Sequence, residues 1–167
     1  MKPDSTEKLT RAALIAALYV VLTLAIAAFG LASGAIQVRI SEALTVLPFF
    51  TASAVPGLAV GCLLANILTG AALPDVIFGT LATLLGAIGT RLLRRHRILC
   101  TLPPVIANVL IIPPVLHFAY GIPGGIPFFM LTVGAGEIIS CVILGQLLLT
   151  ALLPVREKLF GHEEGRA

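Results

Sequence analysis

The sequence predicts an all-α, polytopic integral membrane protein: one membrane domain over residues 1–167, six transmembrane helices, and N- and C-termini both cytoplasmic. Three observations carry this. Of the 167 residues, 58% are hydrophobic and 11% charged, with a mean hydropathy of +1.06, whereas a soluble domain is about a quarter charged. Glycine and proline, 16 and 11 in number, divide the apolar sequence into runs suited to crossing about 30 Å of hydrocarbon at about 20 residues per pass. The cations lie between the runs. Lys2, Lys8 and Arg11 precede the first, Arg91, Arg94, Arg95 and Arg97 divide the chain, and Arg156 and Lys158 follow the last, as in cytoplasmic loops. The net charge of +3 and pI near 9.0 therefore describe membrane orientation rather than a nucleic-acid-binding surface.

With the three basic clusters on one side, each intervening stretch must cross an allowed number of times. The run Ala12–Ala32 crosses once, as a first helix over 9–32. It is too long for the apolar core of a signal peptide and is expected to stay in the chain. Ile40 to Thr90 must return by an odd number of passes and is too long for one. Breaks at Pro56–Gly57 and at Gly70–Pro74 divide it into short or tilted helices over 40–54, 56–71 and 74–93. The last two helices, 99–120 and 126–154, turn outside at Gly121, Pro123, Gly124 and Gly125, and Pro103, Pro104, Pro113 and Pro114 are expected to bend the fifth. Before the second helix, Ile36, Val38 and Ile40 alternate with Gln37, Arg39 and Ser41, the period of an extended segment at the outer surface.

A charge at the bilayer centre costs about 2.5–3.5 kcal/mol on insertion scales, so polar residues within spans are candidates for function. Most lie toward the outer side: Arg39 and Glu42 opening the second helix, Asn66 in the third, Asp75 starting the fourth, His117 and Tyr120 ending the fifth, and Glu137 in the sixth, with Asn108 near mid-membrane. Gln37, Arg39, Glu42, Asn66, Asp75, Asn108, Tyr120 and Glu137 form the candidate ligand-binding set. No carboxylate or histidine relay continues inward, as a proton-driven carrier would require. Structural roles compete for several of them. Arg39 and Glu42 are spaced to pair with each other, Asp75 after Pro74 suits an N-cap, and Asn66 and Asn108 suit interhelical hydrogen bonds. Glu137 has no such ready alternative.

Phe29, Phe78, Phe118, Tyr120, Phe128 and Phe129 gather toward the same side, where they suit either stacking on a flat ligand or a headgroup belt. Cys62, Cys100 and Cys141 show no paired motif and read as small buried hydrophobes. Ala12 with Ala16 and Ala13 with Ala17 make small-residue stripes on the first helix, as do Gly57, Gly61 and Ala65 on the third; these serve packing within the bundle or docking of another membrane subunit. Nucleotide-binding, metalloprotease, serine-hydrolase and metal-ligand motifs are missing from the sequence, so no enzyme, metal or cofactor is expected. A concentrating transporter of this kind needs its motor on another chain.

The stretch GAIQVRISEALTVLPFF, Gly34 to Phe50, resembles the QueT family of queuosine-precursor transporters, counted among the S components of energy-coupling-factor (ECF) transporters, and the similarity extends from Lys8 to Lys158. The alanines at 12, 13, 16 and 17 resemble the AxxxA docking motif of S components. The resemblance implies a six-helix, multi-pass plasma-membrane protein that binds its substrate from outside, associates with a transmembrane coupling subunit and two cytoplasmic ATPases, and topples to deliver the cargo. Within the matching stretch it carries Gln37, Arg39, Ser41 and Glu42 as substrate contacts. A deazaguanine base suits such a site. A carboxylate such as Glu137 or Glu42 accepts from its adjacent N–H and amino groups, Gln37, Asn108 or Arg39 donates to its carbonyl, and Asp75 is placed to meet an aminomethyl cation. The alternatives are an S component for another vitamin such as riboflavin or thiamine, and a membrane scaffold or channel.

Overall fold

The computed structural model describes residues 4–28, 39–121 and 123–161. Gln37, Phe29 and the alternating positions before Arg39 lie outside the described residues. The described elements are all helical. They are α1 (Ser5–Ala28), a 3₁₀ helix (Ile40–Phe49), α2 (Ala54–Leu68), α3 (Leu73–Leu92) and, after a short 3₁₀ turn, α4 (Leu102–Phe118). The last pass is α5 (Ile126–Glu137), a π-helical segment (Ile138–Leu144), α6 (Gly145–Leu152) and, past one turn, α7 (Arg156–Phe160). Among the described residues, four stretches are long and apolar enough to cross a membrane: Ser5–Ala28, Leu73–Leu92, Leu99–Phe118 and Ile126–Phe160.

The other two helices are shorter, 10 residues in the 3₁₀ helix and 15 in α2. The 3₁₀ helix is buried at every position from Ser41 to Phe49. It is walled in by protein, so its length need not match the lipid. Its narrow winding rises about 2.0 Å per residue, against about 1.5 Å in an α-helix, and therefore reaches further into the bundle per residue. Residues three apart eclipse in this geometry, which aligns Arg39, Glu42 and Thr45 along one edge. The Thr45 hydroxyl donates to the Glu42 carbonyl at 2.6 Å.

Glycines set the helix separations. A Cβ on Gly57 would stand 2.7 Å from the Ala12 carbonyl oxygen, and one on Gly61 would stand 2.8 Å from Tyr19 Cβ and 3.0 Å from Ala16 Cα. The Ala12–Ala16 stripe is thus packing surface between α1 and α2. On α3, Gly86 and Gly89 admit Pro104 and Pro103. These two prolines start α4, where a missing N–H leaves no bond unmade; of the four expected to bend this pass, only Pro113 and Pro114 fall inside the helix. A methyl at Gly86 would lie 2.7 Å from Pro104 Cα, and backbone cannot step aside as a side-chain tip can. Gly86→Ala should therefore cost about 1–3 kcal/mol of stability, read as a fall in the thermal midpoint in detergent. Gly134→Ala, whose new methyl would meet Val109 Cγ2 at an ordinary 3.4 Å, should leave the midpoint nearly unchanged.

The described core holds two apolar clusters. At the end carrying the basic clusters, Leu44, Leu47, Phe49, Phe50, Leu58 and Leu149 join one apolar cluster. There Phe50 stacks on Phe160 at 5.1 Å, nearly parallel. Side chains fasten this end to backbone: Arg11 donates to the Phe160 carbonyl at 2.9 Å, Arg91 to the Pro48 carbonyl at 3.1 Å, and Gln146 to the Arg97 carbonyl. A smaller cluster of Ala82, Ile112, Leu116, Phe129 and Val133 joins α3, α4 and α5. The buried polar groups gather in the bundle interior.

Candidate functional site

Helical register brings the polar side chains inward. On α3, Asp75, Gly79 and Thr83 recur every four residues on one buried face; on α2, Cys62 and Asn66 do the same. Glu137 ends α5 and Cys141 lies within the π segment, both buried. The wider turn of a π segment shifts the register of the helix beyond it, a feature frequent at functional sites. Tyr19 of α1, Glu42 of the 3₁₀ helix and Asn108 of α4 complete the set, so every membrane-length pass and both short helices contribute a buried polar residue.

Glu42, 1% exposed, is the hub. Its Oε1 accepts from the Tyr19 hydroxyl and, at 3.4 Å, from the Thr83 hydroxyl. Thr83 also reaches Cys62 Sγ at 3.3 Å, and the Asn66 amide approaches the same sulfur at 3.5 Å. Across the site, the Cys141 thiol donates to Glu137 Oε2 at 3.1 Å. The Asn108 amide lies near Glu137 without the geometry of a well-formed hydrogen bond. Toward the other end, Arg39 Nη2 stands 3.7 Å from Asp75 Oδ2, which also accepts from the Tyr120 hydroxyl at 3.1 Å. The Tyr120 oxygen in turn accepts from the Ala72 N–H at 3.0 Å. Burial raises the Tyr120 phenol above its usual pKa, which keeps it a donor.

Several expected roles change. Arg39 pairs with Asp75 of α3 rather than with Glu42, although Glu42 lies one 3₁₀ turn away. Asp75 does not cap its helix: Ala72 is the N-cap, and Asp75 stands inside the first turn with its carboxylate turned to Arg39 and Tyr120. Asn66 donates weakly, at 3.4 Å, to the Asp75 carbonyl across the α2–α3 junction. His117 lies apart from the cluster, its ring nitrogen 3.1 Å from the Gly124 carbonyl oxygen. Phe78, Phe118 and Phe128 are exposed on the bundle surface, as a headgroup belt requires, while Phe129 is buried in apolar packing. Ala12 and Ala16 face α2, whereas Ala13 and Ala17 are exposed.

Sequence reasoning alone misses Tyr19, Thr83 and the polar roles of Cys62 and Cys141. Spacing holds a signal for three of them, since Thr83, Cys62 and Cys141 each stand one or two helical turns from a candidate on the same face. Tyr19 has no such marker.

Among the described residues, four buried polar atoms find no protein partner: Glu42 Oε2, Asp75 Oδ1, Asn108 Nδ2 and Ser140 Oγ. Leaving such a group unpaired costs about 1–3 kcal/mol, more when it is charged, so each of these atoms is available to a complementary group. Ligating atoms of Glu42, Glu137 and Cys141 all lie within 4.8 Å of one another, the spacing of a metal site. However, the Cys141 hydrogen is turned onto Glu137, and the unpartnered Asn108 nitrogen is a donor. Mixed unmet donors and acceptors suit an organic molecule better than a cation.

The QueT transporter family model matches residues 9–154. Over 84 residues the chain is 37% identical to the queuosine precursor transporter QueT of Lactococcus lactis subsp. cremoris, an alignment covering 50% of this chain and 49% of that protein, so the match spans half the length of this relative. No solved structure matches.

Proposed function

Because the chain belongs to the QueT transporter family, we propose that it is the substrate-capturing S component of an ECF-type ABC uptake transporter, binding a queuosine precursor, queuine or a related deazaguanine base. The observation that carries this reading is the interior set of unpartnered polar atoms, Glu42 Oε2, Asp75 Oδ1, Asn108 Nδ2 and Ser140 Oγ, gathered from four helical passes above an apolar packed end. A carboxylate at Glu137 or Glu42 accepts together from the ring N–H and amino group of a deazaguanine, and the Asn108 amide donates to its carbonyl. A ligand lacking those groups leaves the same buried atoms unpaired, so thiamine and riboflavin should bind weaker by about 100-fold or more. In this reading the protein crosses the plasma membrane six times with both ends cytoplasmic, and takes its substrate from outside.

The motor is a transmembrane coupling subunit with two cytoplasmic ATPases. The exposed Ala13 and Ala17 are the docking face, beside a groove of about 590 Å³ between α1 and α2 at the basic end. Ala12 and Ala16, packed on α2, supply the contacts that hold this face flat.

Calorimetric titration of the purified protein with queuine and its cyano- and aminomethyl-deazaguanine relatives tests the cargo. The sequence has no Trp and two Tyr, which makes intrinsic fluorescence a poor probe. Saturable one-to-one binding is expected; a folded sample giving no heat with any of the three would overturn the cargo.

The orientation has its own test. Cys62, Cys100 and Cys141 are at most 1% exposed, so a membrane-impermeant maleimide should leave the wild-type protein unlabelled. Pro123→Cys should react in intact cells and Arg95→Cys only after the membrane is opened, both positions being exposed turns. The reverse pattern would invert the topology.

A further inference from the structure

We propose that the groove between α1 and α2 at the basic end holds an anionic phospholipid, its phosphate on Lys8 and Ser53 and one acyl chain along the small-residue seam beyond them. The inference needs only the membrane class of the chain, and it stands apart from the cargo and the motor proposed above.

The groove has a polar end and an apolar length. Its volume is about 590 Å³, and Lys8, Leu9, Ala13, Ser53, Pro56 and Val60 are among its lining. The helices α1 and α2 rise together, since a Cβ on Gly57 would meet Ala12 and one on Gly61 would meet Ala16 and Tyr19. One turn back in the same register sets Ser53 beside Lys8. These two polar residues therefore share the basic end, and the rest of the lining is apolar. A floor where two helices touch this closely leaves a channel for a hydrocarbon chain, whereas a helix, about 10–12 Å across, can only lie over it.

Both polar side chains have donors to spare. Ser53 is 8% exposed; its N–H donates to Thr51 Oγ1 at 3.3 Å and its carbonyl accepts from the Gly57 N–H at 3.3 Å, while its hydroxyl makes no hydrogen bond among the described residues. Lys8 is exposed and makes no ion pair among them. The neighbouring charges are committed elsewhere, Arg11 to Glu7 and the Phe160 carbonyl, Asp4 to the Ser5 N–H. A lysine near the start of a spanning helix lays its stem along apolar surface and carries its ammonium to the headgroups. There a phosphodiester offers Lys8 an opposite charge and the Ser53 hydroxyl an acceptor. A choline headgroup would set its own cation beside Lys8, so a lipid of net negative charge is favoured. This lipid covers Ala13, and a partner helix docking on that face displaces it.

The sequence has no Trp, so Val60→Trp, at a lining position 48% exposed, places a lone indole in the groove. The full-length protein is reconstituted in bilayers of phosphate-free digalactosyldiacylglycerol. Quenching by added brominated phosphatidylglycerol or brominated phosphatidylcholine then gives the association constant of each lipid at the groove. Phosphatidylglycerol should be preferred by about 5-fold, the contribution of one cation near an anionic headgroup. Lys8→Gln in the same background should bring the two lipids level, and Ser53→Ala should weaken both by about 2-fold to 5-fold through the lost hydrogen bond. Leu131→Trp, 75% exposed on α5 and outside the groove lining, should show no preference. Unchanged thermal midpoints separate loss of lipid from loss of fold. Equal association of both lipids at Val60→Trp would overturn the site. So would a preference that survives Lys8→Gln, one that Leu131→Trp shows equally, or constants that Ser53→Ala leaves unchanged. Exclusion of both lipids from the indole would overturn it in favour of a second copy of the chain.

Discussion

Glu137→Gln should weaken deazaguanine binding by on the order of 10²-fold, the loss expected when a buried carboxylate that accepts hydrogen bonds from neutral donors gives up one acceptor. The carboxylate can accept two donors from one edge of the base; glutamine keeps one acceptor and turns an NH₂ toward a donor, exchanging an attraction for a clash of hydrogens. Glu137 is 5% exposed, so water cannot fill in for the lost acceptor. The Cys141 thiol can still donate to the remaining oxygen, and the fold should survive. Calorimetry against wild type reads the affinity, and the thermal midpoint shows that the protein is intact. An unchanged affinity would remove Glu137 from the site and leave Glu42 to accept from the base.

Ala13→Leu should abolish uptake in cells while leaving the binding constant of the purified protein unchanged. Position 13 is exposed on α1 and borders the groove lined by Lys8, Leu9, Ser53, Pro56 and Val60, so a leucine there adds bulk to the face proposed above for a partner helix. Ala16→Leu provides the contrast. Ala16 is 7% exposed and its Cα would lie 3.0 Å from a Cβ on Gly61, so leucine forces α1 from α2 and should lower stability and binding together, by about 1–3 kcal/mol or more in stability. Full uptake by Ala13→Leu would move the docking face elsewhere on the bundle.

Membrane class and family are legible in the sequence because the bilayer imposes simple rules. Hydropathy and the placement of Lys8, Arg11, Arg91, Arg94, Arg95, Arg97, Arg156 and Lys158 identify a multi-pass helical protein, since lipid requires every backbone group to be satisfied within helices. QVRISEALTVLPFF points to the family that the match over residues 9–154 establishes. Polar residues in apolar runs stand out for the same reason, and Asp75, Asn108 and Glu137 are noticeable without a structure.

Partnership across helices is different. Local spacing joins Arg39 to Glu42, makes Asp75 a cap, and leaves Ala12 and Ala13 equivalent. Helix packing instead carries Arg39 to Asp75, hands Glu42 to Tyr19 and Thr83, and buries Ala12 and Ala16 against Gly57 and Gly61 while leaving Ala13 and Ala17 outside. The 3₁₀ winding of Ile40–Phe49 belongs here too, because it forms where the segment is enclosed on all sides and the bundle sets its length. By itself, then, the sequence determined the membrane class, the family and the face each polar residue takes on its own helix, since these depend on periodicity and transfer free energy along one stretch of chain. Only the tertiary structure decided which faces meet and which oxygens of Glu42 and Asp75 stay unpaired, because those depend on the separation and rotation of helices far apart in sequence, set by glycine contacts and close packing that no local pattern encodes.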